Sequence, residues 1–248
     1  MAAPEVLILG GTAEAAELAR QLVADGRVAP LTSLAGRTPR PAHADRTGGF
    51  GGARGLESYL RSRRPAAVID ATHPFAARMA ANAVAATSAA GIPLLRLERP
   101  PWSERPADTW LHLPDLAAAA ALIADLEVRV FLSLGAAHLD AFSASRRPWL
   151  LARAINPPRH RPFRRGRVIA GRGPFSLLGE LSVMRRHRID VLVARNSGGA
   201  ATYAKIAAAR LMSLPVLMVD RPCRVPVATV TDVAAARAWL ERLVSEMA

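Results

Sequence analysis

Leu7-Ile8-Leu9-Gly10-Gly11-Thr12-Ala13-Glu14-Ala15 carries a short apolar run into two glycines, a hydroxyl residue and the start of a helical pattern. Strand, tight turn and helix in that order aim free backbone N–H groups and the positive end of a helix dipole at one point, which suits an anion. The spacing differs from the G-x-G-x-x-G fingerprint, because Gly10 and Gly11 adjoin and Ala13 and Ala15 follow. Thr12 either caps the helix or touches a phosphate, since both roles use the same hydroxyl. A plain tight turn would be spelled the same way, so the neighbouring segments must decide.

Strand and helix alternate from this turn to the end of the sequence. Strands are expected at 5–9, 28–34, 66–70 and 92–97, with helices at 13–25, 55–63 and 75–90. Proline then breaks regular structure through Glu98-Arg99-Pro100-Pro101-Trp102-Ser103-Glu104-Arg105-Pro106. The pattern restarts with a helix at 116–125, strands at 128–134, 149–155 and 168–170, and a helix ending near 187. Strands at 190–194 and 216–219, a loop-to-helix segment at 198–212 and a last helix at 232–246 complete it. Such alternation builds βαβ units and a mostly parallel sheet. The chain therefore reads as α/β, with two Rossmann-like lobes at 1–105 and 106–248. An active-site cleft is expected between them, because open parallel sheets bind ligands at the carboxyl ends of their strands.

Composition narrows the function. At 51% hydrophobic over 248 residues the chain can fill real cores, and no run approaches the length of a membrane helix. The first residues lack a basic n-region, and the single cysteine, Cys223, permits no internal disulfide, so a cytoplasmic protein is expected. The net charge of +13 favours an acidic partner. Nucleic acid fits poorly, since the arginines are dispersed and aromatic residues make up only 5%. Arginines do crowd residues 153–172, and guanidinium forks suit a ligand with several carboxylates. Lys205 is the only lysine among 33 basic residues, which invites a role for a compact ammonium, though chance retention explains it equally well.

Three further motifs carry chemistry. Ser33-Leu34-Ala35-Gly36-Arg37 ends the second strand, where dinucleotide folds meet the adenosine ribose. No acid lies between Asp25 and Asp45, while Ser33 and Arg37 are in place, which points to a 2′-phosphate and so to NADP. Asp70-Ala71-Thr72-His73-Pro74-Phe75-Ala76 sits at the third strand's end, with Pro74 suited to a first helical turn and His73 to acid, base or hydrogen-bond work. Arg195-Asn196-Ser197-Gly198-Gly199, followed by Thr202-Tyr203-Ala204-Lys205, repeats the pattern of strand end, glycine loop and helix start. It is a second anion cradle, for substrate carboxylates or the nicotinamide half of a cofactor. The histidines show no metal-ligand spacing, so no metal is expected.

Together these segments, with Gly48-Gly49-Phe50-Gly51-Gly52 and Val219-Asp220-Arg221-Pro222, resemble the precorrin-6A reductase family of cobalamin biosynthesis across nearly the whole chain. The resemblance implies an oxidoreductase that uses NADPH to reduce one double bond of a polycarboxylated, tetrapyrrole-derived macrocycle, precorrin-6A, giving precorrin-6B. It further implies that Gly10, Gly11, Thr12, Ala13 and Glu14 hold pyrophosphate and ribose, that Ser33 and Arg37 hold the 2′-phosphate, and that Thr72 lies near the nicotinamide. His73 and Lys205 become the catalytic candidates for proton delivery, with a substrate carboxyl or water as the alternative source. Phe75, Arg195, Asn196, Ser197, Gly198 and Gly199 become the substrate-binding set. Transient hand-over to neighbouring pathway enzymes is expected, and neither nucleic acid nor membrane as a partner. Another NADP-dependent reductase of a polycarboxylated small molecule is the alternative. A short-chain reductase is not, because Tyr203 and Lys205 are two apart and face different sides of a helix.

Overall fold

The computed structural model describes residues 3–35 and 45–247. In chain order the elements begin β1 (Glu5–Leu9), α1 (Ala13–Asp25), β2 (Ala29–Leu34), β3 (Arg46–Thr47), α2 (Ala53–Arg63), β4 (Ala67–Asp70), α3 (Ala77–Ala90) and β5 (Leu94–Leu97). There follow β6 (Trp110–Leu113), α4 (Leu116–Ile123), β7 (Arg129–Ser133), a 3₁₀ segment (Ala136–Phe142), β8 (Trp149–Ala154) and β9 (Gly166–Ala170). The chain closes with α5 (Leu177–Arg186), β10 (Val191–Arg195), α6 (Ala204–Leu211), β11 (Val216–Val219), β12 (Thr229–Val230) and α7 (Val233–Met247).

Two compact units result, one of Met1–Pro100 with Cys223–Ala248, the other of Pro101–Pro222. The first unit holds a parallel sheet in the order β3-β2-β1-β4-β5-β12. Successive side chains of β1 point to opposite faces. Val6 and Ile8 join Leu18 and Leu22 of α1 and Leu240 of α7, while Leu7 and Leu9 join Leu56 and Leu60 of α2 and Ala83 of α3. Both faces being covered, β1 is apolar from Val6 to Leu9, as a central parallel strand must be. Each wholly buried leucine, such as Leu18 or Leu60, contributes about 1.5–3 kcal/mol.

The second unit repeats the plan as β9-β8-β7-β10-β11-β6, again with every ladder parallel. Its core packs Phe131, Leu151, Leu192 and Met218 against Leu181 and Met184 of α5 and Ile206 of α6. In both sheets three strands step outward from the middle, and the chain then returns to the far side of the first. The reversal lies between β1 and β4 in one sheet and between β7 and β10 in the other. Ligands of doubly wound sheets bind at the carboxyl ends of the strands flanking that reversal.

Several expectations need correction. The second lobe does not run to the end of the chain: β12 pairs with Arg96 and Leu97 of β5, and α7 packs on the first sheet, so Cys223–Ala248 belongs with the first unit. The third helix begins at Ala77 rather than 75, because Phe75 N–H is taken by His73 Nδ1 (3.2 Å) and Ala76 N–H by the His73 carbonyl (2.7 Å) in a preceding turn. Pro74 is therefore in a turn and not in a first helical turn. Likewise α6 starts at Ala204, after a turn that separates it from Gly198 and Gly199. The glycine loop of the second unit thus does not run directly into a helix.

Candidate functional site

The turn after β1 is held in place by hydrogen bonds to both neighbouring strands' ends. Gly10 N–H bonds the Ser33 carbonyl (2.9 Å), closing the turn against β2. Thr12 accepts from Ala15 N–H (3.2 Å) as the helix cap and donates to the Ala71 carbonyl (2.9 Å) beyond β4. Its proton is thus committed to tying β1's turn to β4's, leaving the backbone to meet an anion. Among the described residues no acceptor meets the N–H groups of Gly11, Thr12, Ala13 or Glu14. Gly11 has φ +123°, and the space where a Cβ would stand is open for 4 Å. An anion at this helix start would satisfy those donors. Glu14, on the first turn of α1, pairs with Arg99 (2.7 Å), which offsets its charge there.

At the end of β2 Ser33 is buried and its hydroxyl accepts from Arg46 Nη1 (3.2 Å). Arg46 also donates to the Gly48 and Gly49 carbonyls and stacks on Phe50, 3.8 Å from guanidinium carbon to ring centre. Asp45, the first acid after β2, accepts from Thr32 N–H (2.7 Å). Gly36 and Arg37 lie outside the described residues.

At the end of β4, Asp70 is buried and holds both the backbone N–H (3.2 Å) and the hydroxyl (2.6 Å) of Thr72 through Oδ1. Its Oδ2 faces Arg96 Nε of β5 (3.4 Å). His73 follows. Because Nδ1 accepts from Phe75 N–H, the neutral ring carries its proton on Nε2. The His73 carbonyl also receives Arg224 Nη2 (2.7 Å), while Arg224 Nη1 pairs with Glu98 (2.7 Å). Burial pulls the Arg224 guanidinium down from its usual range, with Glu98 and Asp70 opposing that shift. Asp70 opened a motif read from the sequence without a role of its own, and Arg96, Glu98, Arg99, Arg224 and Arg46 were not singled out. The available signal was Arg96 in the apolar run Leu94-Leu95-Arg96-Leu97, since a charge in a buried strand needs a partner.

The second unit gathers Arg195 to Gly199 at the end of β10. Arg195 Nη1 lies 3.0 Å from His138 Nε2, a residue just past β7, so the two strands flanking that reversal are joined there. The Asn196 side chain is spent on Trp102: Oδ1 takes its N–H (2.8 Å) and Nδ2 gives to its carbonyl (3.1 Å). Gly199 accepts from the Trp102 indole (2.9 Å), and Gly198 and Gly199 have φ +66° and +78°. Lys205 is buried on α6, its ammonium 5.0 Å from the Trp102 ring centre. The structure thus brings Gly10–Glu14, Ser33, Thr72, His73 and Phe75 into the first unit, and Arg195–Gly199 and Lys205 into the second. Among the described residues no cluster of His, Cys, Asp and Glu could hold a metal ion, and no helix is long and apolar enough to cross a membrane.

The family model described as precorrin-6x reductase CbiJ/CobK matches residues 5–241. Precorrin-6A reductase of Rhodococcus erythropolis is 48% identical over 242 residues, 96% of this chain and 98% of that protein. Precorrin-6A reductase of Rhodobacter capsulatus is 46% identical over 221 residues, 88% of each. The solved structure named CobK precorrin-6A reductase superposes with a TM-score of 0.91 at 42% identity, covering 97% of both chains.

Proposed function

This chain belongs to the precorrin-6x reductase family, and we propose that it reduces one double bond of precorrin-6A to give precorrin-6B in cobalamin biosynthesis, with NADPH as the reductant. Reduction by a nicotinamide cofactor follows from membership. The finer choice of NADPH is supported by Ser33 at the end of β2, by Arg46 of β3 donating to its hydroxyl, and in the sequence by Arg37 and the absence of any acid between Asp25 and Asp45. The observation that carries the reading is the first sheet itself: its strand order, its reversal beside β1, and a turn there in which, among the described residues, no acceptor meets the N–H groups of Gly11 to Glu14.

Bound NADPH supplies a hydride, and completing the reduction takes one further proton. Gly11 to Glu14 offer N–H donors and the α1 dipole to the pyrophosphate. Thr12 fixes that turn to the β4 end through Ala71. Thr72, its hydroxyl proton engaged by Asp70, sets the path of the backbone on which His73 stands. His73 holds a proton at Nε2 and is the donor candidate. Lys205 keeps a second candidacy, as a buried ammonium beside Trp102. Arg195, Ser197, Gly198 and Gly199, with Phe75, are assigned to the macrocycle's carboxylates and ring face, and Asn196 to holding the loop through Trp102. Positioning of donor and acceptor supplies most of the rate in such a reaction. The enzyme works in the cytoplasm and passes its product to neighbouring pathway enzymes.

Fluorescence titration of the purified chain with NADPH and NADH tests the cofactor. Strong preference for NADPH is expected; equal affinity for the two removes the 2′-phosphate assignment.

A further inference from the structure

Asp220-Arg221-Pro222-Cys223-Arg224-Val225 is the stretch on which the chain passes from the second unit back to the first. Its two arginines perform the same act in different units. Arg221 donates from Nε to the Asn196 carbonyl (3.0 Å) and from Nη2 to the Ser197 carbonyl (3.3 Å). Arg224 donates from Nη2 to the His73 carbonyl (2.7 Å). The gripped loops hold equivalent places in the two sheets. His73 follows β4 and Asn196 follows β10, and each of those strands is the first beyond its sheet's reversal.

The bonds are of a kind that restrains backbone. A guanidinium is a rigid planar fork, and a charged donor on a carbonyl is stronger than a neutral one. The His73 carbonyl takes two donors, Ala76 N–H (2.7 Å) and Arg224, so both of its lone pairs are engaged. The Arg224 side chain is only 8% exposed and Glu98 anchors its other terminal nitrogen, which leaves it little freedom to swing away. Arg221 spans two successive carbonyls, which fixes the direction of the peptide between them.

We propose that Arg221 and Arg224 are positioning residues through which one short crossing segment sets the backbone of both site loops, Arg221 that of Asn196-Ser197 and Arg224 that of His73. The inference rests on the proposed assignment of His73 and, separately, of Asn196-Ser197 to the reductase function. Neither arginine is assigned contact with substrate or cofactor; each acts through the peptide it holds.

The test uses the full chain as Arg221→Gln, Arg224→Gln and the two lysine variants, with Glu98→Gln as a control that loosens the anchor and spares the grip. Losing one charged hydrogen bond is expected to speed amide exchange by roughly tenfold. For Arg224→Gln that change falls on Phe75 and Ala76, and for Arg221→Gln on Asn196 and Ser197. With precorrin-6A and NADPH, kcat should fall by about 100-fold, the cost of a misplaced site loop. The NADPH dissociation constant should stay within about threefold of wild type, since cofactor binding is not what is lost. Lysine should restore part of kcat at 224, where one donor suffices, and less at 221, where a fork spans two carbonyls. Unchanged exchange in both loops, or a kcat within about twofold of wild type, overturns the proposal. Where a glutamine variant does not fold, the lysine variants carry the same comparison. A wild-type chain that leaves precorrin-6A unreduced defeats the functional reading instead, and amide exchange still decides whether the grip exists.

Discussion

Gly11→Ala strikes the turn whose backbone is proposed to hold the pyrophosphate. Gly11 sits at φ +123°, which an L residue adopts only under strain costing about 1–3 kcal/mol. No protein atom lies within 4 Å of the new methyl, so the penalty is conformational rather than steric. Relief by rotation toward negative φ would turn the N–H groups of Gly11 and Thr12 off their common point, and the methyl would enter the space assigned to the pyrophosphate. Gly10→Ala is the contrast. Its Cβ would come 2.9 Å from Leu34 Cδ2 and 3.4 Å from Thr32 Cγ2, the ends of side chains, at a residue without positive φ. That is overpacking, worth about 1–3 kcal/mol, and it leaves the donors aimed as before. Urea unfolding and NADPH titration separate the two. Both variants should lose stability, whereas Gly11→Ala alone should bind NADPH at least about tenfold more weakly. A Gly11→Ala protein that binds NADPH like wild type would refute that assignment.

Arg37→Ala should weaken NADPH binding by about 10–100-fold and leave NADH unchanged, as loss of a charged contact to a 2′-phosphate requires; parallel titrations check it. His73→Ala should lower turnover by about 100-fold or more if Nε2 delivers the proton, and near-normal turnover in a steady-state assay would remove it from that role. In the second unit Arg153 and Glu180 form an ion pair (2.6 Å) with side chains 8% and 1% exposed. Arg153→Met strands the carboxylate and should cost about 3–5 kcal/mol in chemical denaturation, much of it recovered in the double variant with Glu180→Leu. His187 stacks on Trp149, and burial, with Arg167, Arg186 and Arg129 nearby, holds its pKa below the ordinary imidazole value. The unfolded chain therefore binds the proton more readily, so this residue's contribution is present above about pH 6.5 and is lost as pH falls below it. His187→Gln should flatten thermal stability across that window.

Sequence alone reached the first unit's centre because several signals agreed there. β1 is a short apolar run, Thr12 caps α1, and Gly26 ends it in a left-handed turn, donating to Leu22 (3.0 Å). The edge strands of the first sheet were not legible. Arg46–Thr47 and Thr229–Val230 are two residues each, and pairing with β2 and with the distant β5, not local preference, makes them strands. The return of Cys223–Ala248 to the first unit escaped notice for the same reason. Within the site, motifs named Thr72, His73 and Asn196, but what these residues do depends on Asp70, Arg224 and Trp102. Arg224 lies about 150 positions from His73 along the chain and Trp102 nearly 100 from Asn196, and no local pattern announces such pairings. Thr12 shows the limit most clearly. Both roles read for its hydroxyl were local, whereas its donor goes to Ala71 across the reversal.

The most direct test of the proposed reduction is oxidation of NADPH by the purified chain with precorrin-6A, followed by nicotinamide absorbance and by the mass of the macrocycle. NADPH consumption should depend on substrate, the macrocycle should become heavier by two hydrogens, and reaction with NADH should be far slower. An unchanged macrocycle, with no NADPH consumed beyond the rate without substrate, would contradict the proposed function.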